Sequence, residues 1–430
     1  MRVVVGENVK DQDSIMEAGF DPLVARLDPG RSSLHSTLND ALMWKHRKLS
    51  RTFLYRWMRV SNWGLIPHDG NFLTSLLGFL RWLAALFGNW PALRAVLLGN
   101  RVVFPFAFKI ISKSLEARSS LNPDIYKPEP NLVIFPSSAH EPLATELLID
   151  CERRGVPTLA LIDNWDNLAS KTVLWKKPTY MGVWGPQTAQ HATHIQKLDA
   201  NQVFELGTPR FDVYFNTGDR LPQRDLPSPY VLFVGSAMPF DELQALHQIE
   251  AALDDAGTQF ADLSVIYRPH PWQQKRRSDS LFRPSEYHRT SLDSQIAEHR
   301  PAKKAQETFQ PSLDYYPRIL SNAAVVIGPL TTMLFEASLC HRPVIALSYS
   351  DGIHFNTARR YFSHFDGMER VPGFHFCERE SDLPALLQTA LSDSSSPGKS
   401  YSGELDYFLT SKPGTYQERL LKVVQHAINR

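Results

Sequence analysis

At 430 residues the chain exceeds the size at which one hydrophobic core usually stops growing, so two domains are expected. Hydrophobic residues at 43% and charged residues at 21% exclude a disordered, collagen-like or coiled-coil chain, and a formal net charge of +1 lacks the basic excess of a nucleic-acid binder. The three cysteines, Cys151, Cys340 and Cys377, lie far apart without metal-ligand spacing, which points to reduced, mostly buried thiols of a cytosolic protein.

The opening "MRVVVGENVKDQ" has no basic-then-apolar layout of a secretory signal, so the expected location is cytoplasmic. "RVVVG" reads as a strand and "LNDALMWKHRKLSRTFLYRWMRVS" as helical. The next stretch, "FLTSLLGFLRWLAALFGNW" (Phe72 to Trp90), is apolar around most of a helix and interrupted by Arg81. With roughly 16 residues before Gly88 it is shorter than the ~20 needed to cross a bilayer. The leading reading is a buried core helix. The second is peripheral contact with the cytoplasmic face of the inner membrane, where Lys45, His46, Arg47, Lys48, Arg51, Arg56 and Arg59 would suit anionic lipid. "VVFPFAFKIISKSL" follows, and the first ~120 residues reveal no sheet order by periodicity.

From Pro128 the pattern becomes regular. "NLVIFP", "VPTLALI", "YMGVWG" and "VFELG" read as strands, with the amphipathic "EPLATELLIDCERRG" and the helical "QTAQHATHIQKLDA" between them. The Pro- and Asp-rich "TPRFDVYFNTGDRLPQRDLPSPY" reads as a linker, after which the alternation restarts: strands "YVLFVGS", "LSVIYRPHP", "AVVIGP" and "RPVIALS", helices "FDELQALHQIEAALDDAG", "DYYPRILSNA" and "LTTMLFEASLCH". Strands alternating with helices of this length imply right-handed βαβ units and a mostly parallel sheet. The expected architecture is α/β, two Rossmann-like domains facing a cleft. Residues 1–219 form the first, 220–400 the second, and 401–430 a helical segment, "TYQERLLKVVQHAINR", packing back on the first.

Ligands of open parallel sheets bind beyond the carboxyl ends of the strands, and this ranks the loops. In "AVVIGPLTTMLFEASL", Gly328 ends a strand and Thr331 and Thr332 stand at a helix start, where backbone N–H groups and hydroxyls suit a phosphate; the plain alternative is an ordinary threonine cap. Glu336, one turn on, is placed to accept from ribose hydroxyls, or else is a solvated glutamate. In "VIYRPHPW" prolines stiffen the chain around His270 beside Arg268, so the imidazole can donate to a phosphate or protonate a leaving group, and Arg268 is expected with it on the donor. Gly235 and Ser236 after "LFV" allow close approach of a diphosphate. In the first domain, "LIDNWDNLAS" offers Asp163 or Asp166 as general base, with Trp165 to stack on a ring-shaped acceptor; "PSSAHEPLATE" adds His140 as a rival base. The plain alternative for the Asp/Asn cluster is a turn.

"YRPHP" and "VVIGPLTTMLFEASLCHRPVIAL" together resemble the GT-B glycosyltransferases of bacterial surface-polysaccharide synthesis, most of all the sialyltransferase, Kdo transferase and CDP-glycerol polymer transferase group. "LGTPRFDVYF" is similar to the turn that closes the first domain in related GT-B chains. The resemblance runs from about Pro128 to Ser348. It implies a donor domain at the C-terminal side, with His270, Thr331 and Thr332 on the donor phosphate, and an acceptor domain at the N-terminal side. The chain departs from the sialyltransferases in lacking their Asp/Glu-Asp/Glu-Gly base motif and in carrying Thr-Thr where Ser-Ser or Ser-Thr is common. The expected activity is transfer of a sugar from a UDP- or CMP-sugar donor to a hydroxyl of a glycan or lipid-linked glycan, independent of metal and of any other cofactor. The rivals are a non-hydrolysing nucleotide-sugar 2-epimerase on the same fold and a catalytically silent nucleotide-binding protein.

Overall fold

The computed structural model describes residues 3–6, 12–58, 72–118, 121–215, 229–236, 240–255, 260, 262–270, 282–298, 315–349, 358–394 and 403–429. The chain divides into two compact units, one built from Met1–Trp63, Leu76–Thr208 and Tyr407–Arg430, the other around Pro209–Asp406. The expected domain boundaries at 219/220 and 400/401 lie outside the described residues.

In the first unit, β1 (Val4–Gly6) pairs in parallel with β2 (Leu23–Ala25). The main sheet is parallel throughout, with β3 (Val133–Ser137), β4 (Thr158–Ile162), β5 (Tyr180–Val183) and β6 (Val203–Glu205) in sequential order. Sequential order follows from short helical crossovers, each returning the chain beside the strand it left. The crossover helix Pro142–Arg154 starts on a proline and stops at Gly155, whose φ of 68° is the left-handed C-terminal cap that glycine adopts without steric cost. The last helix, Tyr416–Ile428, opens with a capping box between Thr415 and Glu418 and lays Leu420, Val423 and Ala427 on Leu159 and Tyr180 of the sheet and on Leu206 just beyond β6.

The helical layer ahead of β3 differs from the sequence reading. The expected single helix is two, Pro29–Lys45 and Arg51–Met58, and "VVFPFAFKIISKSL" forms the helix Phe104–Ala117. The helix Phe72–Gly88 is only partly core: Leu86 is buried and Trp82 stacks on Trp44 at 6.1 Å, but Leu76, Phe79, Leu80 and Phe87 are exposed. Leu86 joins the core of Leu38, Phe53 and Ala95 and Trp82 packs against it, so the expected burial holds for that stripe and not for the exposed side chains. Among the described residues no helix is long and apolar enough to cross a membrane.

The second unit is a six-stranded parallel sheet of β7 (Tyr230–Val234), β8 (Ser264–Arg268), β9 (Thr290–Leu292), β10 (Ala323–Pro329), β11 (Val344–Leu347) and β12 (Phe374–Cys377), ordered β12-β11-β10-β7-β8-β9. Its central strands are buried at every residue, as continuous β-branched runs require when helices cover a sheet. Leu246, Ile249 and Leu253 of the helix Glu242–Asp255 share a core with Leu383, Leu387 and Leu391 of Leu383–Ser394. The segment Pro209–Phe215, expected to close the first domain, belongs here: Phe211 packs on Phe335 with ring centroids 5.7 Å apart. The α/β class with two parallel-sheet domains, of four and six strands, is thus observed.

Candidate functional site

In the second unit the strands β10, β7 and β8 are neighbours, so the three loops singled out in the sequence emerge side by side. They are also knitted together. Gly235 N–H donates to Arg268 O at 2.8 Å, and a Cβ on Gly235 would meet His270 N at 2.6 Å. Ser236 Oγ donates to Leu330 O at 3.2 Å, and its N–H donates to Glu242 at 3.0 Å. A Cβ on Gly328 would sit 2.1 Å from Val234 O, so strand β10 approaches β7 closely only as glycine. His270 is half-buried at the rim of this cluster.

The helix Thr332–Leu339 starts at the same edge, with Thr331 as its cap residue in extended backbone. Thr331 makes no side-chain cap hydrogen bond, so the ordinary threonine cap is not formed. Thr331 and Thr332 are both half-buried. That leaves a helix N-terminus flanked by hydroxyls, a geometry that favours an anionic oxygen.

Two residues expected to touch a donor are occupied within the unit. Arg268 is buried, with NH1 3.2 Å from Asp293 Oδ2 and NH2 3.0 Å from Tyr316 Oη. Glu336 is neither a solvated helix glutamate nor open to a ribose: it is 1% exposed, Oε1 lies 2.5 Å from Arg210 NH2, and Oε2 accepts from Tyr214 Oη at 2.7 Å. Burial raises the Glu336 pKa, opposed by the charge of Arg210 and the two hydrogen bonds.

In the first unit the loops after β3 and β4 meet: Asp163 N–H donates to Ser137 O at 3.3 Å. Glu141 clamps the first of these, accepting from Ser137 Oγ at 2.9 Å, from Ser138 N–H at 2.9 Å and from Ser138 Oγ. The turn forces Ala139 to φ 68°, a left-handed value uncommon outside glycine and typical of strained functional loops. His140 is exposed, its Nδ1 3.3 Å from Ser138 O.

The carboxylates Asp163 and Asp166 differ in environment. Asp163 is exposed, accepts from Asn167 Nδ2, and is held above the ordinary aspartate pKa by burial of part of its carboxylate and then by the charge of Glu141. Asp166 accepts from Ser170 Oγ at 2.7 Å and has Lys171 Nζ at 4.0 Å. Trp165, expected to stack on an acceptor, is instead buried in an edge-on contact with Phe408 at 5.8 Å. It fixes the loop from below.

A third cluster beside His140 leaves no trace in the sequence pattern. Glu146 is fully buried, with Arg31 NH2 and His35 Nε2 both 2.6 Å from its Oε1. Burial works against its charge, but hydrogen bonds from His35 and Arg31 outweigh it and hold its pKa below the ordinary value. His35 lines a small pocket with Asn39, His140, Thr172 and Trp175, and among the described residues its buried Nδ1 has no hydrogen-bond partner. The two sides of this cluster are more than 100 residues apart in sequence, which is why no local pattern signals it. All three cysteines are buried, and burial raises the Cys340 thiol and pushes those of Cys151 and Cys377 up to about 12.

No family model matches the chain, and no curated protein matches it significantly. Among solved structures it is similar to UDP-GlcNAc 2-epimerase of Methanocaldococcus jannaschii in complex with UDP-GlcNAc and UDP, at 13% identity over 70% of this chain and 78% of that one, with a TM-score of 0.43. It is also similar to MnaA of S. aureus with UDP, at 12% identity over 74% and 78%, TM-score 0.43. The wall teichoic acid polymerase TagF matches at 10% identity over 76% and 98%, TM-score 0.37.

Proposed function

We propose that the chain is a glycosyltransferase that moves a sugar from a nucleotide-activated donor to a hydroxyl of a glycan or lipid-linked glycan acceptor. The observation that carries this reading is the convergence of three loops on adjacent strands, which places His270 beside Gly235 and a helix N-terminus with Thr331 and Thr332 at one sheet edge. Such an edge neutralises a leaving phosphate through hydroxyls, imidazole and helix dipole. In the step itself the acceptor oxygen forms a bond to the anomeric carbon as the bond from that carbon to the phosphate oxygen breaks. Asp163 takes the acceptor proton. It is preferred to Asp166 because it is exposed and its pKa is raised, whereas Asp166 is tied to Ser170 and Lys171. Arg268 and Glu336 act as supports, holding the loop after β8 and the segment Pro209–Phe215.

A thermal-shift screen with CMP, CDP, UDP, GDP and dTDP tests the donor site. One nucleotide at about 100 times its Kd adds about 2.7 kcal/mol of stability. His270→Ala is expected to lose that shift and to lower turnover by about 10²–10³-fold. Absence of any stabilising nucleotide, or an unchanged shift in His270→Ala, overturns the donor-site assignment. Incubation with UDP-HexNAc alone separates transfer from epimerisation, since only an epimerase forms product without an acceptor.

A further inference from the structure

The helical layer of the first unit carries a surface that nothing in the proposed reaction uses. The helix Phe72–Gly88 exposes Leu76, Phe79, Leu80 and Phe87, which share a face at spacings of three, four and eleven residues. Trp90 and Leu97, two turns apart on the helix Trp90–Leu98, are exposed as well. Val102 and Val103 follow in the turn, and Phe106 and Ile110 on the helix Phe104–Ala117. Phe87, Val102, Phe106 and Ile110 are each at least 70% exposed, far beyond the scattered apolar residues of an ordinary surface.

Charge is distributed to match. Residues 41–115 contain eleven lysines and arginines and one acid, Asp69, while the remaining chain has 35 and 44, so a segment of net +10 sits in a remainder of net −9. Cations and apolar side chains alternate on one helix face: Phe106, Lys109, Ile110 and Lys113 follow the i, i+3, i+4, i+7 spacing, and all are exposed. Arg101, Lys48 and Arg51 are exposed on the same layer. A protein partner would need a matching acidic and apolar surface, whereas an anionic bilayer offers both components over any area. None of the described helices is long enough to cross it. The chemistry is that of helices lying in the interface, with their apolar side chains about 5–10 Å into the headgroup boundary.

We propose that this layer is a docking surface for an anionic lipid bilayer, with Phe87, Trp90, Phe106 and Ile110 inserted and Arg101, Lys109 and Lys113 against the headgroups. The proposal goes beyond the transfer reaction and is tested without it. The full chain is floated with vesicles of phosphatidylcholine containing about one-third phosphatidylglycerol, and with phosphatidylcholine alone. Binding is expected to the anionic vesicles and to weaken in high salt, because exposed charges are screened. Each cation near the surface is worth roughly fivefold in affinity, so the triple variant R101Q/K109Q/K113Q is expected to bind about 100-fold more weakly. The triple variant F87S/F106S/I110S is expected to lose flotation while keeping the parent's circular dichroism and melting temperature. Failure to float with anionic vesicles overturns the proposal. So does equal binding to both vesicle types by the parent and the charge variant, or a concentration-dependent dimer that F87S/F106S/I110S abolishes in a protein that binds no lipid.

Discussion

Replacing Arg210 distinguishes a structural carboxylate at Glu336 from a ribose ligand. Glu336 holds two donors, Arg210 NH2 at 2.5 Å and Tyr214 Oη at 2.7 Å, and is sealed from water. Arg210→Met leaves its charge with the phenol alone. Removing one partner of a buried pair costs about 3–5 kcal/mol, but the Arg210 side chain is 34% exposed and water replaces part of it, so ~2–3 kcal/mol is expected. Adding Glu336→Gln to that variant removes the stranded charge while keeping an acceptor for Tyr214. It is therefore expected to recover ~1–2 kcal/mol, a coupling in the usual range for contacting residues. Urea denaturation followed by far-ultraviolet circular dichroism gives both values. An Arg210→Met midpoint equal to the parent's, or a double variant weaker than Arg210→Met, refutes the reasoning. If Glu336 instead served a ribose, Glu336→Gln would weaken nucleotide binding with stability unchanged.

Other outcomes follow from the same geometry. Asp163→Asn is expected to lower turnover by about 10²–10⁴-fold and Asp166→Asn far less. Because the Asp163 pKa is raised, the parent's kcat/KM should fall with acidification through a value above that of an ordinary aspartate; a limb at the ordinary value would argue against Asp163 as base. Gly328→Ala drives a methyl group into Val234 O and is expected to cost about 1–3 kcal/mol or more, whereas Gly88→Ala, with nothing within 4 Å of the new Cβ, should not destabilise; paired melting curves compare them. The Glu146 pKa is lowered in the fold, so its contribution is present above the unfolded glutamate pKa of about 4.3 and lost as pH falls through the folded value. Glu146→Gln should therefore narrow the gap in urea midpoint between neutral and acid pH, and an unchanged gap would count against the Arg31–His35–Glu146 cluster.

The strands β3 to β8, β10 and β11 were legible because each lies in a short, mostly apolar run bounded by turn residues or amphipathic helices. The ends of β7, β8 and β10 were therefore locatable, and with them His270, Gly235 and Thr331. What escaped is set by tertiary contacts. β12, "FHFC", is four residues, too short a run to stand out by its pattern, and its parallel pairing with β11 is what defines it. Glu336 has the same local pattern whether solvated or buried, and what decides it is Arg210, 126 residues away. Trp165 stood among polar neighbours and read as a ligand platform, yet the partner that buries it is Phe408, near the far end of the chain. His35 and Glu146 lie on separate helices whose individual patterns are ordinary.

The helix Tyr416–Ile428 has a consequence for how the molecule is made. It covers Leu159 and Leu206 and donates a hydrogen bond from Arg419 Nε to Leu206 O at 2.9 Å, but it is synthesised about 200 residues after β6. At ribosomal rates of about 5–20 residues per second, the first sheet waits roughly 10–40 seconds with an apolar face open while the whole second unit emerges. The unit begun first is thus finished last, and during that interval its uncovered strands are the part of the nascent chain most in need of a chaperone.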